Sequence, residues 1–189
     1  SKERAGMDCK YQIEFKHDAQ TIRRLSQTQY LSFEKKYIFL QLIIGLAFLA
    51  FAVLHQDDTA LFTLFALFGC WLMISWKQIP LFRANKIVRQ CGGAFPTTVY
   101  SFGTKGIKTS NDDSSATVPY TEIIRLVEDD EYVFLFINKE GAYMLRKPNN
   151  TSAFQKYLTE KTGLEWIKPR NVFFLSLKQL KAERNNTKK

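Results

Sequence analysis

The chain has 189 residues and a mass of 22.0 kDa, room for one compact domain or a small domain with a membrane anchor. With 46% hydrophobic and 14% aromatic residues it is too apolar to be disordered. The net charge of +9 is unevenly spread: residues 1–36 give +3, 37–76 give −2, 77–96 give +4, 97–168 give −1 and 169–189 give +5. A nucleic-acid binder places a basic face on its folded domain, so the near-neutral stretch 97–168 argues against nucleic acid as a partner. Cys9, Cys70 and Cys91 share no metal-ligand or redox spacing. They cannot build a disulfide framework, which favours a reducing, intracellular setting for the folded part.

Residues 1–10 read as a disordered start or a cloning remnant, with Met7 a candidate initiator. From Tyr11, the residues Tyr11, Ile13 and Phe15 alternate with Gln12, Glu14 and Lys16, the pattern of a half-buried strand. Residues 11–36 are expected to hold this strand and a helix ahead of the first apolar run.

Tyr37–Leu54 is eighteen residues without a charge, and Gln41 is its one strongly polar side chain. Thr59–Trp76 is eighteen more without a charge. At ~1.5 Å per residue each reaches about 27 Å, close to the ~30 Å hydrocarbon core of a bilayer. The twelve Leu, Ile, Phe and Val residues of the first favour insertion by roughly 4–7 kcal/mol. A chain this short could hardly bury two helices apolar on every face. Residues 37–76 therefore read as a transmembrane hairpin, closed by His55–Asp58.

Lys35 and Lys36 precede the first span and Lys77, Arg83, Lys86 and Arg89 follow the second, while the loop holds no Lys or Arg. The positive-inside rule places both termini in the cytoplasm. Trp71 and Trp76 fall near the inner end of the second span, where indole rings prefer the headgroup layer. These eight residues are the expected membrane-interface set, with the bilayer, including anionic lipid, as partner. Gly45, Ala66, Gly69 and Cys70 offer small surfaces for helix packing, first within the hairpin and second in self-association or docking to another membrane protein. A cleavable signal peptide is not expected, since the first apolar run starts 36 residues in.

After a basic connector, 77–96, expected to be helical over Phe82–Gln90, the period changes to two. Strands are expected over Thr97–Phe102, Gly106–Ser110, Ala116–Tyr120, Ile123–Glu128, Glu131–Ile137 and Ala142–Arg146, separated by Asn-, Asp- and Gly-rich turns. Tyr132–Ile137 is apolar on both faces and reads as central. Thr151 or Ser152 is expected to cap a helix that runs to about Thr162 and that Gly163 stops. The stretch 97–168 is an antiparallel meander closed by a helix. In 169–189, Phe173, Phe174, Leu177 and Leu180 share a helical face ahead of a basic tail.

The short-looped apolar hairpin, the segment YQIEF and the run VPYTEIIRLVEDDEYVFLFINKEGAYMLRK, followed by a helix with AFQKYL, resemble the YcxB-like family of bacterial membrane proteins over Tyr11–Trp166. That resemblance implies a pleckstrin-homology-like (PH-like) cytoplasmic domain, a bent sheet capped by a helix. Where the family usually has Trp ahead of the fifth strand, this chain has Tyr120. The expected fold is thus an α+β membrane protein of the bacterial cytoplasmic membrane, combining a two-helix hairpin with a PH-like sheet.

His55, Asp57 and Asp58 are three potential metal ligands on a four-residue loop, which rarely converge. Glu128–Glu131 is expected to be a solvated turn. Gly92-Gly93 lacks the context of a phosphate loop. No catalytic, cofactor or metal site is expected. The expected function is a membrane-tethered binding or regulatory module working through protein or lipid contacts; the alternative is an accessory or immunity-type subunit docking against a transporter through its hairpin.

Overall fold

A computed structural model describes residues 9–95, 97–111 and 114–168. The expectations for residues 1–8 and for the tail helix 169–189 lie outside the described residues. The chain divides into two compact units. One is Ala19–Gly92; the other joins the residues up to Asp18 with those from Gly93 onward.

The Ala19–Gly92 unit is helical: α1 (Ala19–Phe33), α2 (Lys35–Leu54), α3 (Thr59–Ser75) and α4 (Gln78–Gln90). At 20 residues, α2 is long and apolar enough to cross a membrane. At 17 residues, α3 falls short alone and qualifies only together with α4, the two being bent by 55°. The expected second segment therefore ends one residue early, and the connector helix starts at Gln78 instead of Phe82. Pro80 does not prevent this, because it sits in the first turn of α4, where a backbone N–H has no helical partner. Asp58 caps α3, its Oδ1 accepting from the Ala60 and Leu61 amides at 3.0 and 3.2 Å.

The other unit is α+β, built on two four-stranded sheets. The first has the order β1-β2-β3-β4, from Tyr11–Lys16, Thr97–Phe102, Gly106–Ser110 and Ser115–Pro119. In it β1 pairs antiparallel with β2, Ile13 opposite Tyr100, although the whole helical unit lies between them in sequence. The second has the order β7-β6-β5-β8, from Ala142–Arg146, Tyr132–Phe136, Arg125–Glu128 and Trp166–Ile167. Every residue of β6 is buried, as its apolar character on both faces requires of an internal strand. Helix α5 (Thr151–Thr162) places Phe154 and Leu158 in the core with Phe102, Leu126 and Phe134. Asn150, not Thr151 or Ser152, caps it. Gly163 ends it with φ 67°, a left-handed conformation that costs other residues steric energy, and its amide bonds the Thr159 carbonyl at 2.8 Å.

Two further expectations, both on the sheet, are corrected. The meander is divided, because a 3-10 turn at Tyr120–Glu122 separates β4 from β5 and moves the chain to a second sheet. Pairing is also not wholly antiparallel: β8 runs parallel to β5, through Leu126–Trp166 and Val127–Ile167, after the crossover made by α5.

Candidate functional site

In the helical unit, α2 and α3 pack through a glycine seam. A Cβ added to Gly69 would lie 2.9 Å from the Leu49 side chain and 3.0 Å from the Gly45 carbonyl oxygen. Above the seam Phe48 meets Phe68 edge-on at 4.9 Å and contacts Phe65 at 5.9 Å. At the other end Gln41 Nε2 donates to the Leu72 carbonyl at 3.0 Å and to Ser75 Oγ at 2.5 Å. The one strongly polar side chain of Tyr37–Leu54 is thereby satisfied against α3, as a polar group among apolar side chains must be.

Helix α1 is fastened to α4. Ser26 Oγ donates to the Pro80 carbonyl at 2.8 Å, and Arg23 Nε to Asn85 Oδ1 at 3.0 Å. Arg83 forms a two-pronged ion pair with Glu34 and lies 5.6 Å from the Tyr30 ring centroid. The hydrogen bond to Glu34 holds the Arg83 pKa up, while burial and the Glu34 carboxylate raise that of Tyr30.

Of the residues expected at an interface, Lys36, Trp71, Lys77, Lys86 and Arg89 are exposed, and Lys35 and Trp76 are half-buried. Arg83 is partly exposed but engaged by Glu34. Lys77 Nζ sits 5.5 Å from the Trp76 ring centroid. Of the expected packing residues, Gly45 and Gly69 meet, Ala66 is half-buried and Cys70 is exposed. The seam therefore runs through the two glycines and leaves Cys70 outside.

In the sheet unit the polar centre is one the sequence reading missed. Tyr120 and Tyr157 both direct their hydroxyls at the Gly103 carbonyl, at 2.8 and 2.7 Å, and lie 3.0 Å from each other. Burial and the Tyr157 bond raise the Tyr120 pKa well above its ordinary value. The Tyr157 ring also lines an open groove of about 540 Å3 with Cys9, Thr104 and Glu160, flanked by Lys10 at 4.8 Å and Lys161 at 5.9 Å from its centroid. Tyr120, Tyr157 and Gly103 lie on three separate elements, so no local spacing betrays them.

Glu128 departs from the solvated turn expected of it. It is the last residue of β5 and buried, accepting from Gln155 Nε2 at 2.6 Å and pairing with Lys147 at 2.9 Å and Lys168 at 3.6 Å. Asp129 behaves as a turn residue, its Oδ1 accepting from the Glu131 and Tyr132 amides. Among the described residues no three His, Cys, Asp or Glu side chains converge to hold a metal ion.

Residues 102–149 match the YcxB-like protein family. This segment spans β3 to β7 and carries Tyr120, Glu128 and the all-buried β6. The YcxB-like match thus covers 48 of the 189 residues, all in the sheet unit. No curated protein and no solved structure matches the chain.

Proposed function

We propose that the chain is a two-pass protein of the bacterial cytoplasmic membrane. Its α2–α3 hairpin crosses the bilayer, and both termini and the sheet unit lie on the cytoplasmic side. The sheet unit is a PH-like module that binds or regulates a membrane-protein partner, and it does so without chemistry of its own.

The pairing of β1 with β2 carries the two-pass reading. Hydrogen-bonded neighbours must be on the same side of any membrane, and these two strands flank the entire helical unit. If α2 crosses, the chain has to cross back before Thr97, and α3 is the apolar helix available for the return. Its 17 residues give about 26 Å at ~1.5 Å per residue, enough for a slightly thinned hydrocarbon layer. The exposure of the hairpin fits lipid and not a protein core: Ile43 is 64%, Leu46 62% and Leu67 68% exposed. Orientation follows from Lys35, Lys36, Lys77 and Lys86 against a loop that holds Asp57 and Asp58. The likeness of residues 102–149 to the YcxB-like family and the helix α5 following β7 support a PH-like module.

Cysteine labelling tests this. In a background lacking Cys9 and Cys70, an impermeant maleimide should reach Gln56→Cys in intact cells and Cys91 only after permeabilisation. Labelling of both, or of neither, in intact cells overturns the topology. Crosslinking in native membranes then identifies the partner; a chain recovered alone and monomeric argues against the regulatory role.

A further inference from the structure

The bend between α3 and α4 leaves two adjoining hollows that share Phe82. The first, about 590 Å3, is walled by Trp71, Ile74, Ile79 and Phe82. Of its polar lining, Gln41 and Ser75 are bonded to each other, and Gln41 also to the Leu72 carbonyl, which leaves exposed Gln78 at the rim of a mostly apolar hollow. The second, about 500 Å3, is formed by Phe82 with Asn85, Lys86 and Arg89. Phe82, Lys86 and Arg89 follow one another at i, i+4 and i+7, one stripe along α4. No Asp or Glu occurs from Thr59 to Asn111, so neither helix carries a carboxylate to neutralise the two cations.

We propose that these hollows seat one anionic phospholipid, its acyl chain against Trp71, Ile74 and Phe82 and its phosphate towards Lys86 and Arg89. The inference rests on the two-pass reading above. An apolar compartment joined to a cationic one calls for a ligand with one hydrocarbon and one anionic end. The apolar compartment is also continuous with the exposed face of α3, where Leu67, Trp71 and Ile74 are each about 60–70% exposed, so a lipid enters sideways without leaving hydrocarbon. Arg83 takes no part, because Glu34 already holds its guanidinium.

The full chain, reconstituted in vesicles with Trp71 as its sole tryptophan (Trp76→Phe, Trp166→Phe), reads the seat directly. Phosphatidylglycerol with brominated chains should quench Trp71 several-fold more than brominated phosphatidylcholine at equal mole fraction. Replacing Lys86 and Arg89 together by Gln should bring that several-fold preference down to about one, and Lys108→Gln should leave it unchanged. Equal quenching by the two lipids overturns the seat while leaving the membrane reading intact; quenching by neither overturns both. Native mass spectrometry of the unmodified chain, released from mixed-lipid vesicles, supplies a variant-free check: retained phosphatidylglycerol supports the seat, and retention of both lipids in their bulk ratio overturns it.

Discussion

Gly45 and Gly69 approach until each one's missing side chain is the other's contact surface: a Cβ on Gly45 would stand 3.2 Å from the Gly69 carbonyl oxygen. Two backbones that close leave no room for growth. Gly69→Leu should destabilise the hairpin by about 1–3 kcal/mol through overpacking. Cys70→Leu, one residue on and exposed, should be neutral within about 0.5 kcal/mol. Thermal unfolding in detergent compares the two, and equal losses would remove the glycine seam as the packing determinant.

Tyr120 and Tyr157 hold two hydroxyl hydrogens for three close contacts around the Gly103 carbonyl. Either Phe substitution leaves the carbonyl one donor and should cost about 1 kcal/mol. The double substitution orphans it, so the combined loss should exceed the sum of the singles by about 1 kcal/mol in a double-mutant cycle. Strict additivity would mean that the hydroxyls act independently.

Glu128→Gln should destabilise the sheet unit by about 1–3 kcal/mol, because Lys147 loses its partner in a half-buried place. Lys168→Gln should cost less than about 1 kcal/mol, since that ammonium is largely exposed and screened by water. Urea unfolding of the three proteins ranks them, and a larger loss from Lys168→Gln contradicts the assignment.

Tyr100 carries a pH signature. Burial first, and the nearby Tyr143 second, push its hydroxyl from 10.0 up to about 12. Above pH 10 the unfolded chain gives up this proton while the folded chain keeps it. Its contribution is therefore whole below pH 10 and drains away as pH rises to about 12. Denaturant midpoints should fall over that interval, less steeply in Tyr100→Phe; parallel falls in both would assign the loss elsewhere.

Much of this architecture is readable from local pattern. Tyr11–Lys16 declares itself by strict alternation, Gly163 by its place after the last periodic residue, and β6 by having apolar side chains on both faces. What escapes the sequence is fixed from a distance. Trp166–Ile167 is too short to show a period, and it becomes a strand because Leu126 and Val127 offer an edge beside it. Glu128 opens an acidic run that looks solvated throughout, yet Gln155, Lys147 and Lys168 arrive from three other places in the chain to enclose it. The division into two sheets depends on a single 3-10 turn that Pro119 and Tyr120 do not announce.

The ladder joining Tyr11 to Phe102 also sets a timetable. Phe102 comes 91 positions after Tyr11, and at ribosomal speeds of about 5–20 residues per second the early strand waits roughly 5–18 seconds for its mate. During that interval its amides and carbonyls wait for their partners while the apolar segments are being synthesised. Biogenesis of this protein thus holds one half of a zipper idle until the other has been made, and slowing translation inside the intervening stretch lengthens the exposure.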